Sequence, residues 1–163
     1  MRIAISAGST SHQGVAAPVR VVIPAYDARR TIRRCVEAIA SSIDGDEAEI
    51  VVADDGGNGD LVDHLAGLPV RVVATGGLKS AGAARNVGTR GFTGRQVVFI
   101  DADVIVDPDC LTRLLEPLCN GAAEASVGNY SLDVAGLSYA ARYKQLYIIH
   151  VYNRRRGYLG GDF

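Results

Sequence analysis

Four short apolar runs rich in β-branched residues, each set apart from the next by a stretch of helical periodicity, constrain this chain more than any other feature. The runs are Val19-Arg20-Val21-Val22-Ile23, Glu49-Ile50-Val51-Val52-Ala53, Val70-Arg71-Val72-Val73-Ala74 and Val97-Val98-Phe99-Ile100. They have the length and composition of buried strands. Between them, Ile32, Cys35, Val36, Ile39 and Ala40 recur at helical spacing, with Asp27 expected to cap that helix. Leu61, Leu65 and Leu68 mark a short helix capped by Asp60, and Ser80 to Arg90 reads as a helix with a small-residue face of Ala81, Ala84 and Gly88. Such alternation predicts a three-layer α/β domain, with a mostly parallel sheet flanked by helices. Beyond the fourth strand, Asp107 and Pro108 open a helix carrying Leu111, Leu114, Leu115 and Leu118. Glu124 to Tyr130 is expected as a further strand. Leu137 to Val151 is expected as a helix packing through Leu137, Ala140, Ala141, Lys144, Tyr147, Ile148 and Val151.

Composition excludes several classes. The formal net charge of -1 gives no electrostatic basis for binding nucleic acid. No apolar run is long enough to cross a membrane. Cys35, Cys110 and Cys119 have neither zinc spacing nor a Cys-x-x-Cys pair, so buried reduced thiols in a cytoplasmic protein account for them. Residues 1–17 read as a leader or disordered N-terminus, with a short strand at Arg2 to Ile5 and a Ser/Gly/Thr-rich loop from Ser6 to Gly14. Residues 18–163 are expected to form the functional domain.

Three strand ends carry polar signatures, and parallel strands present functional groups at their C-terminal ends. The first is Pro24-Ala25-Tyr26, where Pro24 is expected to stop the ladder and the Tyr26 ring to cover a flat base. The second is Asp54-Asp55-Gly56-Gly57, where a carboxylate can accept from a base N–H or a ribose hydroxyl and the glycines admit a ligand closely. The third is Asp101-Ala102-Asp103. Alternate residues of an extended chain point the same way, so these carboxylates are expected to converge on a divalent cation carrying a ligand phosphate. Between the second and third, the helix starting at Ser80 offers free N–H groups to an anion, with Lys79 and Arg85 adding positive charge. The bland reading of each is a capping acid or a solvated cation.

These four motifs, including Ala83-Ala84-Arg85-Asn86-Val87-Gly88, occur in the order seen in family 2 glycosyltransferases, which the chain resembles from about residue 18 to 120 and more loosely to 163. The resemblance implies a GT-A fold with a Rossmann-like nucleotide-binding half, a nucleoside-diphosphate sugar donor and metal-dependent, inverting transfer of a hexosyl unit. It implies that Pro24, Ala25 and Tyr26 line the base and that Asp55, with Asp54 as alternate, bonds the base or ribose. Arg85 would sit beside the nucleotide, where the charge of Lys79 before the helix is also expected. Asp101 would approach the ribose or the metal's water shell, and Asp103 would ligate Mg²⁺ or Mn²⁺. UDP is the favoured nucleotide, and the acceptor is a saccharide or a lipid-linked molecule. One departure is Gly57, where the family often has Ser.

An inverting member also needs a carboxylate base at the acceptor hydroxyl. Glu124, Asp133 and Asp162 are available, but none sits in a matching motif. The chain is therefore expected to be the donor-binding part of a longer enzyme, binding nucleotide weakly and transferring little sugar alone, with dimerisation as one way to cover exposed apolar surface. Tyr143, Tyr147, Tyr152 and Tyr158, with Arg154-Arg155-Arg156, read as a packed helix ending in a basic turn. Peripheral contact with the inner face of a membrane is the alternative. Competing functions are a non-catalytic nucleotide-binding fragment, a sugar-phosphate nucleotidyltransferase and a receiver-like domain. The last two lack, respectively, a Gly-rich basic loop after Ile23 and a later strand-end Lys.

Overall fold

The computed structural model describes residues 19–43, 48–56, 60–77, 79–132 and 135–155, apart from the side chains of Tyr152, Asn153 and Arg155. The leader, the short strand at Arg2 to Ile5, Asp133 and Asp162 lie outside the described residues. Two compact units divide the chain, Met1–Thr112 and Arg113–Phe163.

The first unit holds the sheet. Strands β1 (Val19–Ala25), β2 (Ala48–Asp54), β3 (Val70–Ala74) and β4 (Gln96–Phe99) are all parallel, in the order β3-β2-β1-β4. Central β1 is apolar on both faces, and Val21, Val22 and Ile23 are all fully buried. Helices α1 (Ile32–Ser42) and α2 (Leu61–His64) belong to crossovers running one way along the sheet. α3 (Ala81–Gly88) belongs to a crossover running the other way. Right-handed connections therefore place α1 and α2 on one face and α3 on the opposite one. A hydrogen bond of 2.8 Å from Arg33 Nη1 to the His64 carbonyl joins α1 to α2.

Several local expectations are corrected. Pro24 does not end β1, which continues to Ala25 with Pro24 opposite Ala53. Val22 and Pro24 present their backbone groups on the β4 side, where Ile100 N donates to Val22 O at 3.2 Å and pairing then stops. The missing proline N–H thus faces no partner strand. Asp27 does not cap α1. The N-cap is Thr31, four residues on, while Asp27 takes φ +47° and its N–H donates to Gly56 O. Of the cysteines only Cys35 is buried; Cys110 is intermediate and Cys119 exposed.

α3 packs as its small residues require. Ala84 is fully buried, and a Cβ at Gly88 would overlap Val22 Cγ1. Behind this seam lies a buried charge that sequence reading passed over. The Arg20 guanidinium donates to Glu49 Oε2 at 2.7 and 2.9 Å, to Gly88 O at 3.2 Å and to Arg90 O at 3.0 Å. It also covers the Phe92 ring at 4.6 Å. Arg71 binds the other Glu49 oxygen at 2.8 Å.

The second unit departs further from expectation. α4 (Cys110–Cys119) begins in the first unit and carries Pro117 in its last turn; Leu111 and Leu115 are buried as expected. Glu124 to Tyr130 is irregular, not a strand. Gly128 and Asn129 disfavour strand, and the Asn129 side chain takes the Tyr130 N–H at 2.8 Å, leaving Val127 and Tyr130 exposed. α5 (Tyr139–Arg155) is present, but Leu137, Ala140, Ala141, Lys144 and Tyr147 are exposed and Ile149 is the buried residue. Tyr143 and Tyr147 stack on each other outside, with ring centroids 6.2 Å apart. No helix among the described residues is long and apolar enough to cross a membrane.

Two outcomes follow. Gly88→Ala forces α3 away from β1 and should cost about 1–3 kcal/mol in urea unfolding; an unchanged midpoint would contradict the seam. Burial pushes the Glu49 carboxyl up, but Arg20 and Arg71 outweigh it and hold it below its ordinary value of 4.5. A lowered pKa contributes stability that is whole above the ordinary value and lost as pH falls through the folded-state value. Melting temperatures measured against pH should therefore fall less steeply below 4.5 in Glu49→Gln than in the parent.

Candidate functional site

Parallel pairing puts all four C-terminal strand ends on one side of the sheet, so Tyr26, Asp55 and Asp101 to Asp103 share one edge. The direction of travel reverses between β1 and β4, where α1 and α3 leave on opposite faces. A crevice opens at such a switch point.

A cavity of about 340 Å³ lies at this edge, lined by Pro24, Ala25, Tyr26, Asp55, Lys79, Ser80, Ala81 and Ala84. Tyr26 is 57% exposed, with its ring available to a ligand. Asp55 is only 3% exposed, and a carboxylate so buried requires donors. Thr75 Oγ1 donates to Asp55 Oδ1, and the Ser80 backbone N–H donates to Oδ2 at 2.7 Å. The chain reaches this position because Gly76, Gly77 and Lys79 all take positive φ, which turns the β3–α3 loop back over β2. Thr75 is not singled out by the sequence, and Ser80 is read there only as a helix start offering N–H groups to an anion, whereas its own N–H goes to Asp55. Their positions, one just after a strand and the other at a helix N-cap, were the available signal.

Of the expected site residues, the cavity gathers Pro24, Ala25, Tyr26, Asp55 and Lys79. Asp54 does not line it. Its Oδ1 accepts from Gly56 N at 3.0 Å, and its carbonyl accepts from Thr75 N at 2.9 Å. Arg85 and Asp101 form a separate pair at 2.8 Å.

The Asp101–Asp103 segment is not extended, which corrects the argument from alternation. β4 ends at Phe99, and the chain enters a turn closed by Val104 N to Asp101 O at 3.0 Å. The two carboxylates nonetheless share a neighbour. Cys35 is fully buried on α1, and its Sγ donates to Asp101 O at 3.6 Å. Burial first, then the charges of Asp103 and Asp101, push its thiol up to about 11.

A divalent cation could be held at this turn only if a ligand completed its coordination. Among the described residues, no three His, Cys, Asp or Glu side chains are grouped as a closed cage. Asp101 Oδ1 is taken by Arg85, whereas no described residue donates a hydrogen bond to exposed Asp103. One or two carboxylates completed by ligand phosphates is a usual set for Mg²⁺. Asp103 is the carboxylate of this turn that could supply one such ligand.

Strand order, crevice and cavity define a parallel α/β domain with a ligand-sized hollow at its switch point. The description of Glycosyl transferase family 2 matches residues 20–160, and the chain belongs to that family. It is 34% identical over 122 residues to the succinoglycan biosynthesis protein ExoO of Rhizobium meliloti (strain 1021), covering 73% of this chain and 34% of ExoO. It is 28% identical over 119 residues to the glycosyltransferase GlyA of Streptococcus pneumoniae serotype 4, covering 69% of this chain and 16% of GlyA. The chain thus spans well under half the length of these relatives. Its fold is that of GT-A glycosyltransferases. S. aureus TarS 1-349 superposes with a TM-score of 0.61 at 19% identity, over 74% of this chain and 38% of that one. Glucosyl-3-phosphoglycerate synthase from Mycobacterium tuberculosis, in complex with Mn²⁺, UDP and glucosyl-3-phosphoglycerate, superposes with a TM-score of 0.55 at 26% identity. That match covers 67% of this chain and 46% of the synthase.

Asp55→Ala would strand the Thr75 hydroxyl and the Ser80 N–H. It should cost about 1–3 kcal/mol of stability, with looser β3–α3 loop amides in hydrogen exchange; full protection of Ser80 in the variant would contradict this. Cys35, buried and poorly ionised, should resist alkylation in the folded protein at mildly alkaline pH while exposed Cys119 reacts. Peptide mapping after brief labelling, native against denatured, checks it.

Proposed function

We propose that this chain binds a nucleoside-diphosphate sugar in the switch-point crevice and serves transfer of the sugar to an acceptor hydroxyl, with a divalent cation and inversion at the sugar carbon. The observation that carries the reading is the cavity itself. An exposed aromatic ring, a buried oriented carboxylate and a cation occupy one hollow, at Tyr26, Asp55 and Lys79. These match the base, the polar edge of the nucleoside and the diphosphate in turn.

Pro24, Ala25 and Tyr26 hold the base, with the Tyr26 ring stacked on it. Asp55, fixed by Thr75 and Ser80, is the carboxylate that would meet a base N–H or a ribose hydroxyl. Asp54 acts on the loop instead, through Gly56. Lys79 and the first turn of α3 face the diphosphate. Arg85 lies beside the nucleotide and orients Asp101 toward the ribose side, and Asp103 would hold Mg²⁺ or Mn²⁺. Bound there, the cation would neutralise charge developing on the departing diphosphate. Asp55, Asp101 and Asp103 are all committed to donor-side roles, so the base that deprotonates the acceptor is assigned outside this cluster.

UDP is the favoured nucleotide, supported by the UDP and Mn²⁺ bound in the mycobacterial synthase. A saccharide acceptor agrees with the naming of ExoO for succinoglycan biosynthesis, and a lipid-linked saccharide is its variant. Cytoplasmic action suits the free thiols.

Calorimetric titration of UDP with and without Mn²⁺ tests this. Asp103→Ala should lose the Mn²⁺-dependent part of the affinity and keep its melting temperature. Tyr26→Ala should weaken UDP binding by about 1–3 kcal/mol with or without metal. Equal Mn²⁺-dependent binding by Asp103→Ala and the parent would sink the metal role, and no UDP binding by the parent would sink the donor reading.

A further inference from the structure

The turn before α1 and the first turn of α1 are together charged against the rules that govern helix ends. Arg29, Arg30, Arg33 and Arg34 fall within six residues at the end where free N–H groups already carry partial positive charge. Four like charges gathered in so short a stretch repel one another. Ile32 N donates to Ala28 O and Cys35 N to Thr31 O, so the turn that holds Arg29 and Arg30 runs directly into the helix that holds Arg33 and Arg34. No acid occupies the first turn, and the N-cap Thr31 makes no side-chain cap.

Arg33 is compensated by Glu37 at 3.1 Å and the His64 carbonyl at 2.8 Å. Arg29, Arg30 and Arg34 are exposed, and no described residue pairs with them or accepts from them. Solubility does not explain the placement. The last turn of α1, where the dipole favours cations, carries none. A local electrostatic cost with no return among the described residues marks a functional surface.

The patch stands at the ligand-binding edge of the sheet. Arg29 follows Tyr26 by three residues, at most roughly 10 Å of chain, and Tyr26 lines the cavity. It is distinct from the diphosphate-facing groups, since Lys79 and the start of α3 belong to the crossover on the opposite face of the sheet.

We propose that Arg29, Arg30 and Arg34 form a second anion site that holds a phosphate group carried by the acceptor. The proposal rests on the glycosyl-transfer reading above. Guanidinium groups bind phosphate oxygens in pairs, and several around one dianion offset the competition from water at an exposed site. A soluble sugar phosphate and a prenyl-diphosphate-linked saccharide present the same chemistry.

The test uses the full chain and the triple variant Arg29→Gln, Arg30→Gln, Arg34→Gln. Inorganic pyrophosphate is titrated with the cavity saturated by UDP, and melting temperature and UDP affinity are measured alongside. Loss of like-charge repulsion should leave the melting temperature equal or higher. UDP affinity should stay within about twofold, and pyrophosphate affinity should fall about tenfold or more. A lower melting temperature would make the arginines structural and overturn the proposal. A parallel fall in UDP affinity would assign them to the donor site and overturn it too, as would failure of the UDP-saturated parent to bind pyrophosphate. UDP binding by the parent separates failure of the patch from failure of the donor reading. Phosphatidylcholine vesicles with and without a prenyl diphosphate distinguish the sources. Arginine-dependent retention only on doped vesicles supports a lipid-linked acceptor, and pyrophosphate binding without retention supports a soluble one.

Discussion

The close approach of α3 to β1 decides where every group at the strand ends can stand. Gly88 has no Cβ, so the helix lies directly on Val22, and its carbonyl is gripped from below by Arg20. From that anchor the helix runs toward the ligand edge. Ser80 ties its start to Asp55 beyond β2, and Arg85 ties its middle to Asp101 beyond β4. Nine residues, Ser80 to Gly88, thus link three strands. Sites of this kind depend on sub-ångström placement of reacting groups. A side chain at residue 88 would displace Asp55 and Asp101 together without touching either.

The acids at this edge divide by whether the fold has answered them. Asp55 is buried and takes donors on both oxygens; Asp54 takes the Gly56 amide; Asp101 takes Arg85. These carboxylates are oriented by the protein before any ligand arrives, which lowers the cost of binding. Asp103 is the exception, exposed and without a hydrogen-bond donor among the described residues. Beneath it Cys35 is neutral, so the core adds no charge to the turn. An unanswered carboxylate beside an answered one is the arrangement a cation from solution would complete.

The strands and the helices between them were legible because burial on both faces leaves a continuous apolar run and burial on one leaves a stripe. Val21 to Ile23, Val51 and Val52, and Ile32, Cys35, Val36 and Ile39 all appear in the core as their spacing implied. Features set by hydrogen-bond direction were not legible. Whether Pro24 ends a strand depends on where β4 stops. Whether Asp27 caps depends on a turn closed by Gly56. Arg20 read as one polar residue in a strand, since its partners Gly88, Arg90 and Phe92 lie about 70 residues away. In the second unit, the α5 stripe mixed Lys144 and Tyr147 with aliphatics, and the helix instead buries Ile149.

That a candidate site could be drawn from the sequence at all follows from the topology. Its residues run from Pro24 to Asp103, and no stretch of the chain contains enough of them to name a chemistry. A parallel sheet removes the difficulty, since each strand delivers its next one or two residues to the same edge whatever lies between. Weak signatures after successive strands therefore add, where the same residues scattered through helices would not. The addition holds only while the strands end together. Asp55, directly behind β2, lines the cavity, whereas Asp101 and Asp103 follow a strand already two residues past its ladder and turn away as a separate group. Distance beyond the last ladder hydrogen bond thus sets how far sequence position alone predicts side-chain direction here.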